Sequence, residues 1–179
     1  MLQTHPLVPN WTGKPIVLVG LMGAGKSTVG RRLAAKLRLP FVDADNEIEA
    51  AAGMSIADIF DRFGEPYFRD GERRVIARLI DGRPKVIATG GGAFINEETR
   101  ALILADALAI WLDAHPDVLA DRVRRRDHRP LLRGKDAREV LGDLAEVRNP
   151  LYAMAPIRVP SNNAPHEATV EAILKALQA

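Results

Sequence analysis

The sequence predicts an α/β protein built on a parallel sheet, and two observations carry that expectation. Short apolar, β-rich runs recur at 16–19, 41–42, 86–88, 108–112 and 157–159, with helical patterns between them. The first run leads straight into a glycine-rich loop that opens a helix, a strand–loop–helix series with a chemistry of its own. The 179 residues, 47% hydrophobic and 27% charged, suit one domain over 1–179, with no internal repeat, low-complexity stretch or Pro/Gly/Ser-rich linker to divide it.

Taken in order, residues 1–14 have neither the basic start and apolar block of a secretory signal nor the arginines of a transit peptide, and are expected to be a loose lead-in. The helix after the first strand carries Val29, Leu33 and Leu37 at a spacing of four, leaving Arg31, Arg32, Lys36 and Arg38 wet. Ser55, three residues before Asp58, reads as a capping box ahead of Ile56, Ile59 and Phe60, and Gly64 stops that helix. Asn96 can cap the helix of Leu102 and Leu104, Pro116 suits the first turn of a helix to about Arg126, and an amphipathic helix over 166–177 closes the chain.

Composition excludes several classes. The longest apolar stretch, 101–112, is broken by Asp106 and falls short of the roughly 18 residues a membrane span needs, so a soluble, cytoplasmic protein is expected. Zero cysteines exclude a disulfide scaffold, a thiol nucleophile and thiolate-bound metal. The four histidines, His5, His115, His128 and His166, are scattered without metal-site spacing. A net charge of +2 is too small for bulk attraction to nucleic acid. Yet Arg122, Arg124, Arg125, Arg126, Arg129, Arg133 and Lys135 crowd one segment, which suits either an anion or a solvated helix face.

Gly20-Leu21-Met22-Gly23-Ala24-Gly25-Lys26-Ser27-Thr28 fits G-x-x-x-x-G-K-[ST] in its proper setting, after a strand and at a helix start. Glycines let backbone N–H groups turn in around a phosphate, and the helix N-terminus adds about half a positive charge. Lys26 can bridge the β- and γ-phosphates and the Ser27 hydroxyl can ligate Mg²⁺. The chain is therefore expected to bind a nucleoside triphosphate. It has no Asn-Lys-x-Asp guanine reader, and Asp61-Arg62-Phe63-Gly64 sits at a helix end, so a GTPase is disfavoured; the chain is too short for an oligomeric motor. A small-molecule kinase remains.

Three features lie on the acceptor side. Asp43-Ala44-Asp45 follows the second strand; in an extended strand end the two carboxylates would face opposite ways, one toward the Mg²⁺ water shell and one toward an acceptor hydroxyl, with solvated cap aspartates as the alternative. Phe68-Arg69-Asp70-Gly71-Glu72 is expected to open a helix on which Arg69 and Glu72 pair, an exposed ion pair being the plainer reading. Thr89-Gly90-Gly91-Gly92 after the third strand suggests close approach of backbone to a ligand.

With Arg129-Pro130-Leu131-Leu132 and Arg148-x-Pro150-Leu151-Tyr152 in the same order, the chain resembles the shikimate kinases over residues 16 to about 160. The resemblance implies a three-layer α/β/α P-loop kinase fold, a five-stranded parallel sheet in the order 2-3-1-4-5, and a mobile lid at about 122–135. It implies ATP-dependent phosphorylation of the 3-hydroxyl of shikimate, with Mg²⁺, by a monomer acting without nucleic acid or membrane. Lys26 and Arg129 then belong on the transferring phosphoryl group, Gly23, Ala24, Gly25 and Thr28 with the nucleotide, and Ser27 and, through water, Asp43 with Mg²⁺. Asp45 is the catalytic acceptor-side carboxylate; Arg69, Arg148, Gly91 and Gly92 hold shikimate, and Glu72 orients Arg69. Arg122, Arg124 and Arg125 stay in the solvated reading, and Asp113 is structural. The family's adenine-side loop falls at 159–165, which here carries no arginine. Two other readings stand beside this one: a kinase for another hydroxy acid such as gluconate, and a regulatory module that binds nucleotide without turnover.

Overall fold

The computed structural model describes residues 5–125, 136–163 and 165–179. All five apolar runs are strands: β1 (Ile16–Val19), β2 (Phe41–Asp43), β3 (Val86–Ala88), β4 (Leu108–Asp113) and β5 (Ile157–Pro160). They form one parallel sheet in the order β2-β3-β1-β4-β5. Every residue of β1 and β3 is buried. Because successive strand side chains point to opposite faces, both faces of the sheet are covered there, which is why these strands read as unbroken apolar runs. From β1 the chain runs to one side for β2 and β3, then crosses to the other for β4 and β5. The connections leaving the carboxyl end of β1 and those of its neighbours thus part and leave a crevice, the usual ligand position in such sheets.

Helix α1 (Lys26–Leu37) buries Val29, Leu33 and Leu37 and leaves Arg31, Arg32, Lys36 and Arg38 exposed, as its spacing predicts. Helix α3 (Ile56–Phe63) is capped by Ser55 Oγ, which accepts from Asp58 N at 3.1 Å, and α5 (Glu97–Asp106) by Asn96, whose side chain accepts from Thr99 N at 3.0 Å. Helix α6 (Pro116–Arg124) is slightly shorter than expected, with Arg125 as its C-cap, and α8 is His166–Gln178.

Other expectations change. Asp43 ends β2, but α2 (Ala44–Ala52) begins at the next residue, so Asp45 lies in a helical first turn and not on an extended strand end. Arg69 and Glu72 lie inside α4 (Glu65–Leu79), which starts before Phe68 with Pro66 in its first turn. Helix α7 (Ala137–Tyr152), which carries Arg148 and accommodates Pro150 in its last turn, has no counterpart in the periodicity reading. The N-terminal residues from His5 are docked: Val8 and Trp11 are buried, His5 Nε2 hydrogen-bonds Leu37 O at 2.8 Å, and Asn10 Nδ2 donates to Gln178 O at 2.8 Å. Of the expected lid, 122–125 belong to the end of α6, while 126–135, with Arg129, lie outside the described residues. Among the described residues, no helix is long and apolar enough to cross a membrane.

Candidate active site

The crevice at the carboxyl ends of β1, β2 and β3 holds a cavity of about 470 Å³, lined by Gly25, Lys26 and Ser27 on one side and by Asp43, Asp45 and Gly90 on the other. Gly25 stands at φ 93, a left-handed geometry that suits glycine, and is the N-cap of α1. Lys26 is buried, and its Nζ donates to Gly20 O at 2.6 Å and Leu21 O at 2.9 Å, which curls the side chain back over its own loop.

Asp43 has two functions. Its Oδ1 accepts from Asp45 N at 3.0 Å and Asn46 N at 3.4 Å, capping α2, while its Oδ2 accepts from Ser27 Oγ at 2.8 Å. The helical turn, and not strand alternation, separates the two aspartates: Asp43 faces the phosphate loop, whereas Asp45 faces the glycine turn, where a Cβ on Gly90 would lie 2.9 Å from Asp45 Oδ1. The Ser27–Asp43 pair, a hydroxyl beside a carboxylate, is an oxygen donor set of the kind Mg²⁺ accepts when phosphates and water complete its shell.

Glu72 is only 1% exposed, so its pair with Arg69, at 2.8 Å, is buried and not a surface contact. Burial pushes the Glu72 carboxyl up to about 7; the Arg69 charge and hydrogen bond oppose the rise, and nearby Asp45 adds to it. The Arg69 guanidinium lies so close to Gly92 that any Cβ there would collide with it, and a Cβ on Gly91 would stand 3.3 Å from Arg148 Nη1. Two arginines from α4 and α7 thus meet at one turn of bare backbone. Tyr152, fully buried at the end of α7, hydrogen-bonds Gly91 O, which fixes the turn to the helix that brings Arg148. Burial holds its phenol up at about 12, so it stays protonated and able to donate.

Of the expected residues, Gly23, Gly25, Lys26, Ser27, Thr28, Asp43, Asp45 and Gly91 line the cavity, Ala24 is buried within the loop, and Arg69, Gly92 and Arg148 adjoin it at the glycine turn. Arg129 lies outside the described residues. Asp113, at the end of β4, is engaged by Arg158 Nε at 2.9 Å. Arg124 and Arg125 are exposed, although Arg125 borders the cavity. Arg122 corrects its solvated reading: it is partly buried, also lines the cavity, and donates to Gly23 O at 3.1 Å and Asn162 O at 2.6 Å. Sequence reasoning also passed over Ser161, which is fully buried with its Oγ donating to Ala24 O at 2.7 Å. The only trace of Arg122 in the sequence is its place between Leu119 and Val123, both buried on the inner face of α6.

A phosphate loop at the switch point of a parallel sheet, faced by a carboxylate and a two-arginine turn, defines a P-loop kinase for small molecules. Comparison with known proteins narrows the class. The shikimate kinase family model matches residues 22–178. The shikimate kinase of Caulobacter vibrioides (strain NA1000 / CB15N) is 64% identical over 165 residues, 92% of this chain and 82% of that protein. That of Zymomonas mobilis subsp. mobilis is 58% identical over 164 residues, 92% and 93% of the two chains. Among solved structures, the shikimate kinase from Acinetobacter baumannii in complex with shikimate matches with a TM-score of 0.88 at 36% identity, covering 92% of each chain. A gluconokinase from Sinorhizobium meliloti 1021, at 21% identity and a TM-score of 0.59, shares the fold alone over 92% of this chain and 91% of that one. The chain belongs to the shikimate kinase family.

Proposed function

We propose that the chain moves the γ-phosphoryl group of ATP to the 3-hydroxyl of shikimate, giving shikimate 3-phosphate and ADP, as one cytoplasmic, monomeric domain. The observation that carries the substrate reading is the Gly91-Gly92 turn set between the guanidinium groups of Arg69 and Arg148, next to Asp45. A small acid with ring hydroxyls needs that combination, a planar, permanently charged grip for its carboxylate and a carboxylate acceptor for its hydroxyl. ADP release measured side by side with shikimate, gluconate and nucleoside monophosphates tests it; turnover with shikimate alone is expected, and a preference for gluconate would overturn it.

In this reading the loop from Gly23 to Thr28 cradles the triphosphate with its N–H groups, and Lys26 leaves the Gly20 and Leu21 carbonyls to lie along the transferring phosphoryl group. Ser27 directly and Asp43 through water would hold Mg²⁺, which supplies charge neutralisation for the phosphate oxygens. Asp45 orients the acceptor hydroxyl and takes its proton late in a loose transition state. Arg129 is assigned to the phosphoryl group by the family resemblance alone, as is a lid over about 122–135.

The clamp makes a separable prediction. Because a charge-assisted hydrogen bond is worth about 1.5–3 kcal/mol, Arg148→Lys should raise the shikimate KM roughly ten- to a hundredfold and leave the ATP KM almost unchanged. The carboxamide analogue of shikimate should bind the natural enzyme poorly and be penalised far less in the variant. Equal penalties in both enzymes would remove Arg148 from the carboxylate.

Glu72 makes a second prediction, in pH. Protonation removes its ion pair with Arg69 and weakens the hold, so the shikimate KM should rise as the pH falls through about 7, and Glu72→Gln should flatten that inflection. Stability runs the other way. The buried carboxyl binds its proton more tightly than the unfolded chain does, so its stabilising contribution is complete below about 4.5 and is lost as the pH rises through about 7. Steady-state kinetics and thermal unfolding from pH 5.5 to 8.5 check both signs; an inflection that persists in Glu72→Gln belongs to another group.

A further inference from the structure

Arg69, one half of the proposed carboxylate clamp, is engaged from several directions. Its Nη1 donates to Glu72 Oε1 at 2.8 Å, its guanidinium carbon stands 5.1 Å from the centre of the Phe68 ring, and the bare backbone of Gly92 crowds Nη1 and Nη2. A guanidinium offers a carboxylate two paired edges, Nη1 with Nη2 and Nε with Nη2, and Glu72 has taken a nitrogen of the first. The second edge is held by Glu65, one oxygen of which, Oε1, lies 3.4 Å from both Nε and Nη2. We propose that Glu65 is a placeholder for the substrate carboxylate, an internal competitor that occupies the paired edge of Arg69 until shikimate displaces it.

The two acidic partners of Arg69 differ in the way such a division of roles needs. Glu72 is buried and its bond is short, whereas the Glu65 side chain is 62% exposed and its contacts are long. An exposed ion pair is weak, and a buried one is costly to break, so an arriving anion displaces Glu65 and not Glu72. Glu65 is the first residue of α4, and it borders a second, open cavity of about 560 Å³ that Arg73 and Glu98 also line. A displaced Glu65 therefore has volume to swing into. It is not needed to hold Arg69 in place, because Glu72, Phe68 and the Gly92 turn fix the guanidinium from other directions. A ligand that needs the edge free binds only the fraction of molecules in which Glu65 has left, and its apparent affinity is reduced by that fraction. For shikimate the reduction is the worth of one exposed i, i+4 ion pair, about two- to fivefold. Because shikimate 3-phosphate keeps the carboxylate, the same competitor acts as the product leaves.

The inference rests on the shikimate reading of the site, and the two fail differently. Absence of ADP release with shikimate by the natural enzyme overturns that reading, whereas the placeholder is judged by variants of an active enzyme. Glu65→Gln keeps the size of the side chain and removes its charge. Glu98→Gln removes a charge from the same second cavity, but from a residue paired with Arg73 and not with Arg69. Calorimetric shikimate Kd, shikimate KM, ATP KM and Tm are measured for both, for Glu65→Ala, and for Glu65→Gln in an Arg69→Met background. Glu65→Gln and Glu65→Ala should each bind shikimate about two- to fivefold more tightly than the natural enzyme, with the ATP KM unchanged. Glu98→Gln should leave the shikimate Kd unchanged, and in the Arg69→Met background the gain from Glu65→Gln should vanish, because the contested edge is gone. A residue that merely helped to place Arg69 would give the opposite sign, so a shikimate Kd that rises or stays the same in Glu65→Gln and Glu65→Ala overturns the placeholder. An equal gain in Glu98→Gln, or a gain that persists without Arg69, overturns it as well, because the general field of the acidic residues and not occupancy of the edge would then set the affinity.

Discussion

Lys26→Ala is expected to fold and to lose nearly all phosphoryl transfer. The side chain is buried, and its ammonium bonds Gly20 O and Leu21 O, which holds it beside the loop that would cradle the phosphates. In the transition state negative charge is spread over the transferring group and the bridging oxygens, where a fixed cation acts on it directly. Removal of one preorganised donor at such a position costs about a hundred- to a thousandfold in kcat. The fold should tolerate the change, because α1 is anchored by Val29, Leu33 and Leu37 and not by its first residue. Single-turnover ADP formation, with Tm as the folding control, reads the effect; turnover like that of the natural enzyme would overturn the kinase mechanism.

Asp45→Asn should leave ATP binding intact and lower kcat by the roughly 10²- to 10⁴-fold typical of a lost general base. Asp45 occupies the first turn of α2 and points at Gly90, away from the Ser27–Asp43 pair, so the substitution changes the acceptor side alone. Asparagine keeps the size and one acceptor oxygen but cannot take a proton. A kcat within about threefold of the natural enzyme, far short of a general base's contribution, would show that the hydroxyl proton leaves by another path. Retained ATP KM together with lost kcat would separate this residue from Lys26, whose removal should also weaken the grip on the phosphates.

How far the sequence anticipates this site depends on how local each feature is. The phosphate loop is contiguous, and its strand, glycines and lysine declare themselves within thirteen residues, 16–28. The five strands are also readable, because a buried parallel strand has no polar face to blur its pattern. The spacing of Asp43 and Asp45 leaves a strand end and a helix cap both open, since the two look alike in one dimension, and the structure makes Asp43 the cap of α2. Arg148 is legible only through the family resemblance; its helix, α7, carries a proline and a largely charged surface that hide the periodicity. Arg122 is hidden in the sequence for a different reason. It lies 99 residues from the Gly23 carbonyl it serves, inside a run of arginines, and nothing in the run itself marks the one whose guanidinium turns inward.

Asp43 ends with both oxygens assigned, one to the first amides of α2 and one to Ser27. If Asp43 holds Mg²⁺ through water as proposed, folding and metal chemistry draw on a single carboxyl group, and a change there touches both. Asparagine caps helices about as well as aspartate, so Asp43→Asn would leave α2 in place while exchanging the oxygen facing Ser27 for either a neutral carbonyl or an amide nitrogen. In the proposed reading, selection for a more stable chain can remodel the start of a helix such as α3, whose cap Ser55 lies outside the cavity lining, but at α2 the demands of the catalyst fix the charge.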